Sequence, residues 1–302
     1  MKNLSILILN YNSSEKVISQ LESLTNQGLD KNIFLVIDNN SLDGKPLEEY
    51  CLNNNFRFLQ TFENKGYAYG NNLAIKKELA NNKEYFLILN PDIEIDFLTI
   101  NTLYEKISSQ LQIGAIGCRI CDKFQRDLIY SDGGLLFPEF GFRGDHVNNN
   151  KFIKEVTILE VNREFDYVNG SVFMFSKEAL KQNGFMREDF FMYYEESEWC
   201  YRLNIRTNLE MVILTNVNAY HENSIKGKLY HYYMARNRIW FCKLYDSNLE
   251  IAKKEIKKEM KRFLFSKRNK TYLKFGLFFS VLKGYYAGLN QEVEFNNFDK
   301  LT

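Results

Sequence analysis

Through the first 110 residues, short continuous apolar runs alternate with longer segments of helical periodicity, and few architectures accommodate that rhythm. Leu4–Leu9 reads as a strand, Asn10–Ser14 as a polar turn and the residues to about Gln27 as a helix. The unit recurs, with strands at Ile33–Ile37, Phe56–Thr61 and Tyr85–Leu89 and helices at Pro46–Asn53, Gly70–Ala80 and Phe97–Gln110. Strands that are apolar at nearly every residue belong in a sheet covered on both faces, and strand–helix alternation makes such a sheet parallel. The expected class is α/β, a mostly parallel central sheet flanked by helices. Ligands bind such sheets beyond the carboxyl ends of the strands. Four turns lie there: Asn10–Ser14, Asp38–Gly44, Glu63–Gly70 and Asn90–Asp96, all rich in Asn, Asp or Gly.

From about Gly114 the strands shorten to Ala115–Ile120 and Val168–Phe175, separated by a long irregular stretch, Ser131–Asn150, which is expected to be a functional loop. After His221 the chain turns helical, first at Leu229–Tyr245 and then in a basic segment. The expected division is a body at 1–246 and an amphipathic helical extension at 247–302.

Composition removes several classes. With 45% hydrophobic and 25% charged residues and only three prolines in 302, neither disorder nor a collagen-like chain is tenable. The longest apolar runs, such as Phe275–Leu282, fall far short of the roughly 20 residues of a membrane span. The opening residues lack the pattern of a secretory leader, so a cytoplasmic location is expected. Five scattered cysteines give no disulfide framework; Cys118 and Cys121 form a C-x-x-C with no second pair, which favours buried thiols over zinc.

The net charge of +1 hides an asymmetry. Residues 253–283 carry eleven Lys or Arg and two Glu, a local +9, so the rest of the chain is acidic at −8. Such a tail suits a polyanion or an anionic membrane surface, with a solvated helix face as the alternative.

Three segments carry candidate chemistry. Asn90-Pro91-Asp92-Ile93-Glu94 follows an apolar strand, and carboxylates two apart on an extended chain point the same way, as a hard cation bound to a diphosphate would require. Asn-Pro-Asp is also ordinary turn chemistry. Glu195, Glu196 and Glu198 open a helix, where the dipole favours ionised carboxylates and a general base could sit; Glu198 and Arg202 are spaced as an i,i+4 pair. His221 ends a strand and is either a hydrogen-bonded structural residue or a metal contact.

Taken in order, Leu7-Ile8-Leu9-Asn10-Tyr11-Asn12, Val36-Ile37-Asp38-Asn39-Asn40-Ser41 with Asp43-Gly44, Glu63-Asn64-Lys65-Gly66-Tyr67-Ala68 with Gly70-Asn71-Asn72, and Leu89-Asn90-Pro91-Asp92 resemble a known family. The series continues through Val168-Asn169-Gly170-Ser171, Gly184-Phe185-Met186, the Glu-Glu-Ser-Glu segment, His221 and Arg236-Asn237-Arg238. It is similar to the family 2 inverting glycosyltransferases of the GT-A fold, most of all to their rhamnosyltransferase-type branch, over roughly residues 3–245.

The resemblance implies a nucleotide-binding half at about 1–112 and an acceptor-binding half at about 113–246. It implies that Asp38 binds the nucleotide base, that Asn10 and Asn12 line the same pocket, and that Asn64, Gly66, Gly70 and Asn71 lie along the nucleotide or ribose. Asp92 would hold a divalent metal, Mn²⁺ or Mg²⁺, with His221 as a further metal or diphosphate contact. Glu196 would be the catalytic base, beside Glu195. Where the family usually has Glu-Asp-x-Asp this chain has Glu-Glu-Ser-Glu, so the base is one methylene longer, and Asp92 is the only carboxylate at the usual metal positions, with Glu94 beyond it.

The implied reaction is inverting transfer of a sugar, expected to be rhamnose from dTDP-rhamnose, to a saccharide or lipid-linked acceptor in cell-surface polysaccharide synthesis. UDP-linked hexose, amino sugar or galactofuranose is the donor alternative. A non-catalytic nucleotide-sugar-binding homologue and a nucleotidyltransferase are the competing classes. The expected setting is cytoplasmic, peripheral on the inner face of the cell membrane through 253–283, with no nucleic-acid partner. Glycoside hydrolysis would leave the nucleotide-pocket motifs unexplained, and no G-x-G-x-x-G follows the first strand as a Rossmann dehydrogenase requires.

Overall fold

The computed structural model describes residues 1–157, 160–222, 226–265 and 271–291. Asn223 and Ser224 after His221, Lys267 and Arg268 of the basic segment, and 292–302 lie outside the described residues.

The first half follows the expected rhythm: β1 (Leu4–Asn10), α1 (Ser14–Asn26), β2 (Phe34–Asp38), α2 (Gly44–Asn53), β3 (Arg57–Gln60), α3 (Tyr67–Ala80) and β4 (Tyr85–Leu89). A two-residue strand, β5 (Ile93–Glu94), interrupts the turn before α4 (Phe97–Ser109). Then come β6 (Ile113–Asp122), β7 (Ile129–Ser131), β8 (Gly134–Phe137), β9 (Arg143–His146), β10 (Val161–Asn162) and β11 (Val172–Ser176). The chain closes with α5 (Lys177–Asn183), α6 (Glu195–Arg206), β12 (Glu210–His221), α7 (Lys228–Leu244), α8 (Leu249–Phe265) and α9 (Thr271–Asn290).

The main sheet runs β10-β12-β6-β11-β4-β1-β2-β3. Strands β4, β1, β2 and β3 are parallel, as their unbroken apolarity implies. Strand β11 is antiparallel to both β4 and β6, and β6 pairs parallel with β12, so the second half is mixed. Ser131–Asn150 is not irregular: β8 and β9 form an antiparallel hairpin there. Its glycines and polar residues mask a register as short as Gly134↔His146 to Phe137↔Arg143.

Alternation within β1 divides the core. Leu4, Ile6 and Ile8 meet Val17, Leu21 and Leu24 of α1 on one face, whereas Leu7 joins Ala74 and Ile75 of α3 and Trp199 and Leu203 of α6 on the other. Each of these buried Leu or Ile side chains contributes about 1.5–3 kcal/mol, so a one-residue slip would turn both layers inside out.

The C-terminal helices pack on the body through a smaller core of Ala235, Ile239, Ile256, Met260, Val281 and Tyr285. Gly276, Ser280, Gly284 and Gly288 repeat every four residues along one face of α9. A Cβ at Gly284 would lie 2.1 Å from the Tyr232 carbonyl oxygen, so only glycine allows this approach of α9 to α7. All five cysteines are buried free thiols. Among the described residues no helix is long and apolar enough to cross a membrane.

Candidate active site

The carboxyl ends of β1, β2 and β3 place Asn10, Asp38 and Gln60 in one row, because their registers pair Asn10 with Asp38 and Asp38 with Gln60. Asn10 Nδ2 donates to Asp38 Oδ1 at 2.7 Å, and Gln60 Nε2 and the Ser41 backbone N–H donate to Asp38 Oδ2 at 2.8 and 3.1 Å. Buried Asp38 is thus an oriented carboxylate, and its oxygens have lone-pair capacity for a further donor. Asn12 sits on the rim, its Oδ1 accepting from the Leu42 N–H at 2.9 Å and its own N–H reaching Ser41 Oγ at 3.1 Å.

The next turn is tied to this row through Asn39, whose Nδ2 donates to Asn64 Oδ1 at 2.9 Å and to the Gly66 carbonyl at 3.1 Å. Gly66 has φ of 99°, and a Cβ there would lie 2.1 Å from the Phe191 carbonyl. Its freedom therefore lets the loop before α6 close down on α3. A Cβ at Gly70 would lie 2.5 Å from Leu9 Cδ1. Asn71 donates to the Tyr67 carbonyl at 3.0 Å, while its buried Oδ1 has no partner among the described residues.

Asp92 reaches His221 by strand pairing. Strand β5 is antiparallel to β12, with Ile93 opposite His221, and Gln20 of α1 pins the turn by donating to the Asn90 and Ile93 carbonyls at 2.9 and 2.7 Å. The Asp92 Oδ2 to His221 Nε2 distance is 3.3 Å. Burial pushes the Asp92 carboxyl up, but the hydrogen bond and charge of His221 outweigh it and hold the group below its ordinary range. His221 Nδ1 is buried without a partner among the described residues, beside the Tyr130 ring at 5.7 Å. Glu94 does not join them: it is half exposed and paired with Arg126, whose guanidinium lies over Tyr220.

Glu195 and Glu196 follow a strained approach. Phe191, Tyr193 and Tyr194 have φ of 64°, 67° and 74°, each costing of order 1–3 kcal/mol for a non-glycine residue. Helix α7 holds the loop: Asn237 Nδ2 lies 3.1, 2.8 and 2.7 Å from the Phe190, Met192 and Tyr193 carbonyls, and Arg236 donates to the Asp189 and Phe190 carbonyls. At about 1 kcal/mol per bond, these contacts offset much of that strain. Glu195 is buried and Glu196 lies against Gly170, whose ideal Cβ would be 3.3 Å from Glu196 Cδ. Both glutamates have one carboxylate oxygen without a partner among the described residues. Desolvation, then repulsion from Glu196, pushes the Glu195 carboxyl well above its ordinary value; desolvation also raises Glu196 against the opposing backbone N–H bonds. Glu198 is structural, bridged to Arg202 at 2.8 and 3.0 Å and accepting from Tyr245 at 2.7 Å.

One residue links the two carboxylate groups. The Tyr67 hydroxyl donates to the Gly170 carbonyl at 2.7 Å, and its phenol is held far above its ordinary pKa by desolvation, then by Glu196, Glu195 and Asp92. The structure therefore gathers Asn10, Asp38 and His221 at the carboxyl ends of strands, Asn12, Asn64, Gly66 and Asp92 in the turns beside them, Gly70 and Asn71 on α3, and Glu195 and Glu196 at the start of α6. Gln60, Ser41 and Tyr67 were not singled out from the sequence. Ser41 and Tyr67 lie inside motifs that were, whereas Gln60 becomes visible only when β3 is registered against β2.

The family model described as "Glycosyl transferase family 2" matches residues 5–184. The low-salt glycan biosynthesis hexosyltransferase Agl10 of Haloferax volcanii is 31% identical over 228 residues, covering 74% of this chain and 69% of that protein. Among solved structures, the mannosyltransferase PcManGT of Pyrobaculum calidifontis, in complex with GDP-Man and Mn²⁺, superposes with a TM-score of 0.59 at 13% identity, covering 96% of this chain and 88% of that one. GalNAc-T7 with UDP, GalNAc and Mn²⁺ superposes at 0.58 with 14% identity, over 77% of this chain and 47% of that one. At these identities the superpositions establish the fold, the mixed α/β fold of the GT-A glycosyltransferases.

The buried Glu195 makes a stability prediction. A carboxyl whose folded pKa is raised above its unfolded value of about 4.3 favours folding when protonated and opposes it as pH rises through the folded value. Glu195→Gln should therefore melt above the wild type at about pH 8, and the advantage should vanish on acidification to about pH 4. Thermal melts across that range test it, and a variant that melts below the wild type at the alkaline end contradicts the assignment.

Proposed function

The chain belongs to glycosyl transferase family 2, and from that premise we propose that it is an inverting, metal-dependent transferase in which Glu196 is the general base and Asp92 the metal-binding carboxylate. The observation that carries this reading is the Gly170–Ser171 segment, which meets both groups: the Ser171 carbonyl accepts from the Asn90 N–H at 3.0 Å, two residues before Asp92, and Gly170 lies against Glu196, so a carboxylate held below its ordinary pKa and one raised above it share one site. An inverting displacement needs that division: negative charge builds on the leaving diphosphate while the acceptor hydroxyl loses its proton on the other face.

The residues present fit a divalent cation. Ionised Asp92 and the His221 imidazole, whose Nε2 lies 3.3 Å from Asp92 Oδ2, are an oxygen and nitrogen donor pair suited to Mn²⁺. Among the described residues no three His, Cys, Asp or Glu gather to hold an ion by themselves, so diphosphate oxygens would complete the shell. Bound there, the cation would neutralise charge on the departing diphosphate. The other steps belong to the chain: Asp38, oriented by Asn10 and Gln60, accepts from the base; Asn64, Gly66 and Asn71 line the ribose side; and Glu196 takes the acceptor proton. A raised pKa strengthens Glu196 as a base while leaving it ionised only above that value, so transfer should fall as pH drops through it.

The donor we propose is dTDP-rhamnose, on the resemblance of the ordered motifs, with UDP-linked sugars as the second reading. An Asp38 carboxylate with open lone pairs suits the ring N–H of either pyrimidine. A lipid-linked or saccharide acceptor in cell-surface glycan synthesis agrees with the glycan role named for the Haloferax relative.

Two variants should separate binding from chemistry. Glu196→Gln should leave calorimetric binding of dTDP or UDP with Mn²⁺ intact and slow transfer or donor hydrolysis by about 10²-fold or more; Asp92→Ala should instead abolish the metal dependence of that binding. A folded Asp92→Ala protein with unchanged metal dependence contradicts the metal assignment, and full turnover by Glu196→Gln contradicts the base.

We further propose that the extension rests on an anionic membrane at the cytoplasmic face. Phe275, Phe279 and Tyr286 are exposed on the side of α9 turned away from its glycine stripe, with Lys283 beside them, and Lys257 of α8 lies over Tyr285. Rings in the interface and cations toward head groups suit such a surface, at about 1 kcal/mol per basic residue. The chain should pellet with anionic but not neutral vesicles at low salt and be released at high salt. Equal recovery with both vesicle types, or with neither, contradicts it.

A further inference from the structure

Behind the loop that presents Glu195 and Glu196, a cavity of about 660 Å³ opens between β9, α7 and α8. Its lining includes Arg143, Arg238, Lys258 and Arg262 together with Tyr194 and Tyr230. Two carboxylates also reach it, but both are engaged: Glu255 with Lys258 and Glu259 with His231, each at 3.0 Å. Arg143, Arg238 and Arg262 make no close ion pair among the described residues, and the Glu255 carboxyl is held below its ordinary range by the Lys258 hydrogen bond and then by the charges of Arg238 and Arg143. Arg238 is the most informative, since it is buried and its guanidinium is fixed by the Gly141 and Phe140 carbonyls alone. One carboxylate, Glu255, shared among Lys258, Arg238 and Arg143, leaves the cavity with excess positive charge, which a bound anion would offset. Arg143 is steered onto the same cavity by the Phe137 and Phe140 rings, 5.2 and 5.3 Å away.

Position gives the cavity a role. Tyr194 lines it and directly precedes Glu195, and Tyr230 lines it and packs edge-on against Tyr193 at 5.2 Å. None of its lining residues belongs to the donor row of Asn10, Asp38 and Asp92, so donor diphosphate does not account for its charge. We propose that this cavity binds a phosphate group carried by the acceptor, seated on Arg143, Arg238 and Arg262, so that the acceptor's hydroxyl is directed past Tyr193 toward Glu196. Guanidinium groups suit this task because their planar fork matches phosphate oxygens. The inference rests on the reading of Glu196 as the base. The phosphate could come from a lipid diphosphate or from a polyol-phosphate chain, and both present the same oxygens.

Calorimetric titration of the full chain in EDTA, which silences metal-dependent diphosphate binding at Asp92 and His221, tests it. The probes are farnesyl diphosphate and a short poly(glycerol phosphate) oligomer, with farnesol and glycerol as uncharged controls. At least one phosphate probe should bind, and the exposed pair Arg143→Gln/Arg262→Gln should weaken it tenfold or more while leaving nucleoside diphosphate binding with Mn²⁺ unchanged. Preference for farnesyl diphosphate supports a lipid-linked acceptor, and preference for the oligomer supports a polyol phosphate. Unaltered affinity in the double variant, binding of an uncharged control as tightly as its phosphate, or no binding of either phosphate overturns the proposal. Wild-type donor turnover, measured separately, keeps the readings distinct: its absence defeats the transferase assignment, whereas loss of phosphate binding in the double variant concerns the cavity alone.

Discussion

The antiparallel pairing of β5 with β12 joins residues more than a hundred positions apart, and the proposed chemistry depends on it. Asp92 lies one residue before β5 and His221 ends β12, so the contact between them exists only while Ile93 faces His221. The pairing also fixes which acidic residue is available. Asp92 stays at the sheet edge with the imidazole, whereas Glu94, two residues on, is drawn to Arg126 on the surface.

A second constraint works from the opposite side. Backbone conformations that non-glycine residues rarely adopt bring Tyr194 to the start of α6, and Arg236 and Asn237 hold the loop that makes them. This arrangement buries carboxylates that would be more stable in water, which is how a site can hold a base of raised pKa at the expense of fold stability. The Oε2 atoms of Glu195 and Glu196, with Asn71 Oδ1 and His221 Nδ1, have no partner among the described residues, and a substrate could complete them.

The parallel half was legible because β1, β2 and β4 are apolar at nearly every residue, a pattern that only two-sided burial explains. The hairpin of β8 and β9 was not, since four-residue strands containing Gly134, Gly144, Arg143 and Asp145 carry no alternation strong enough to read. The site divides in the same way. Asp38, Asp92, Glu196 and His221 stood out through their ordered motifs, and Glu198 was already paired with Arg202 by its spacing. Gln60 and the Arg143, Arg238 and Arg262 cluster depend on strand register and helix packing, which sequence spacing does not encode. The glycines at 66 and 284 marked close approaches, but only the fold shows that the approaching groups are the Phe191 and Tyr232 carbonyls.

We propose that Asp92 and His221, brought together by β5 and β12, form one metal-diphosphate site. Electron spin-echo measurements on Mn²⁺ bound with dTDP or UDP test it most directly. The bound Mn²⁺ should show phosphorus coupling together with one imidazole nitrogen, the nitrogen signal disappearing in His221→Ala. A Mn²⁺ centre that shows phosphorus coupling but no nitrogen in the wild type would contradict it.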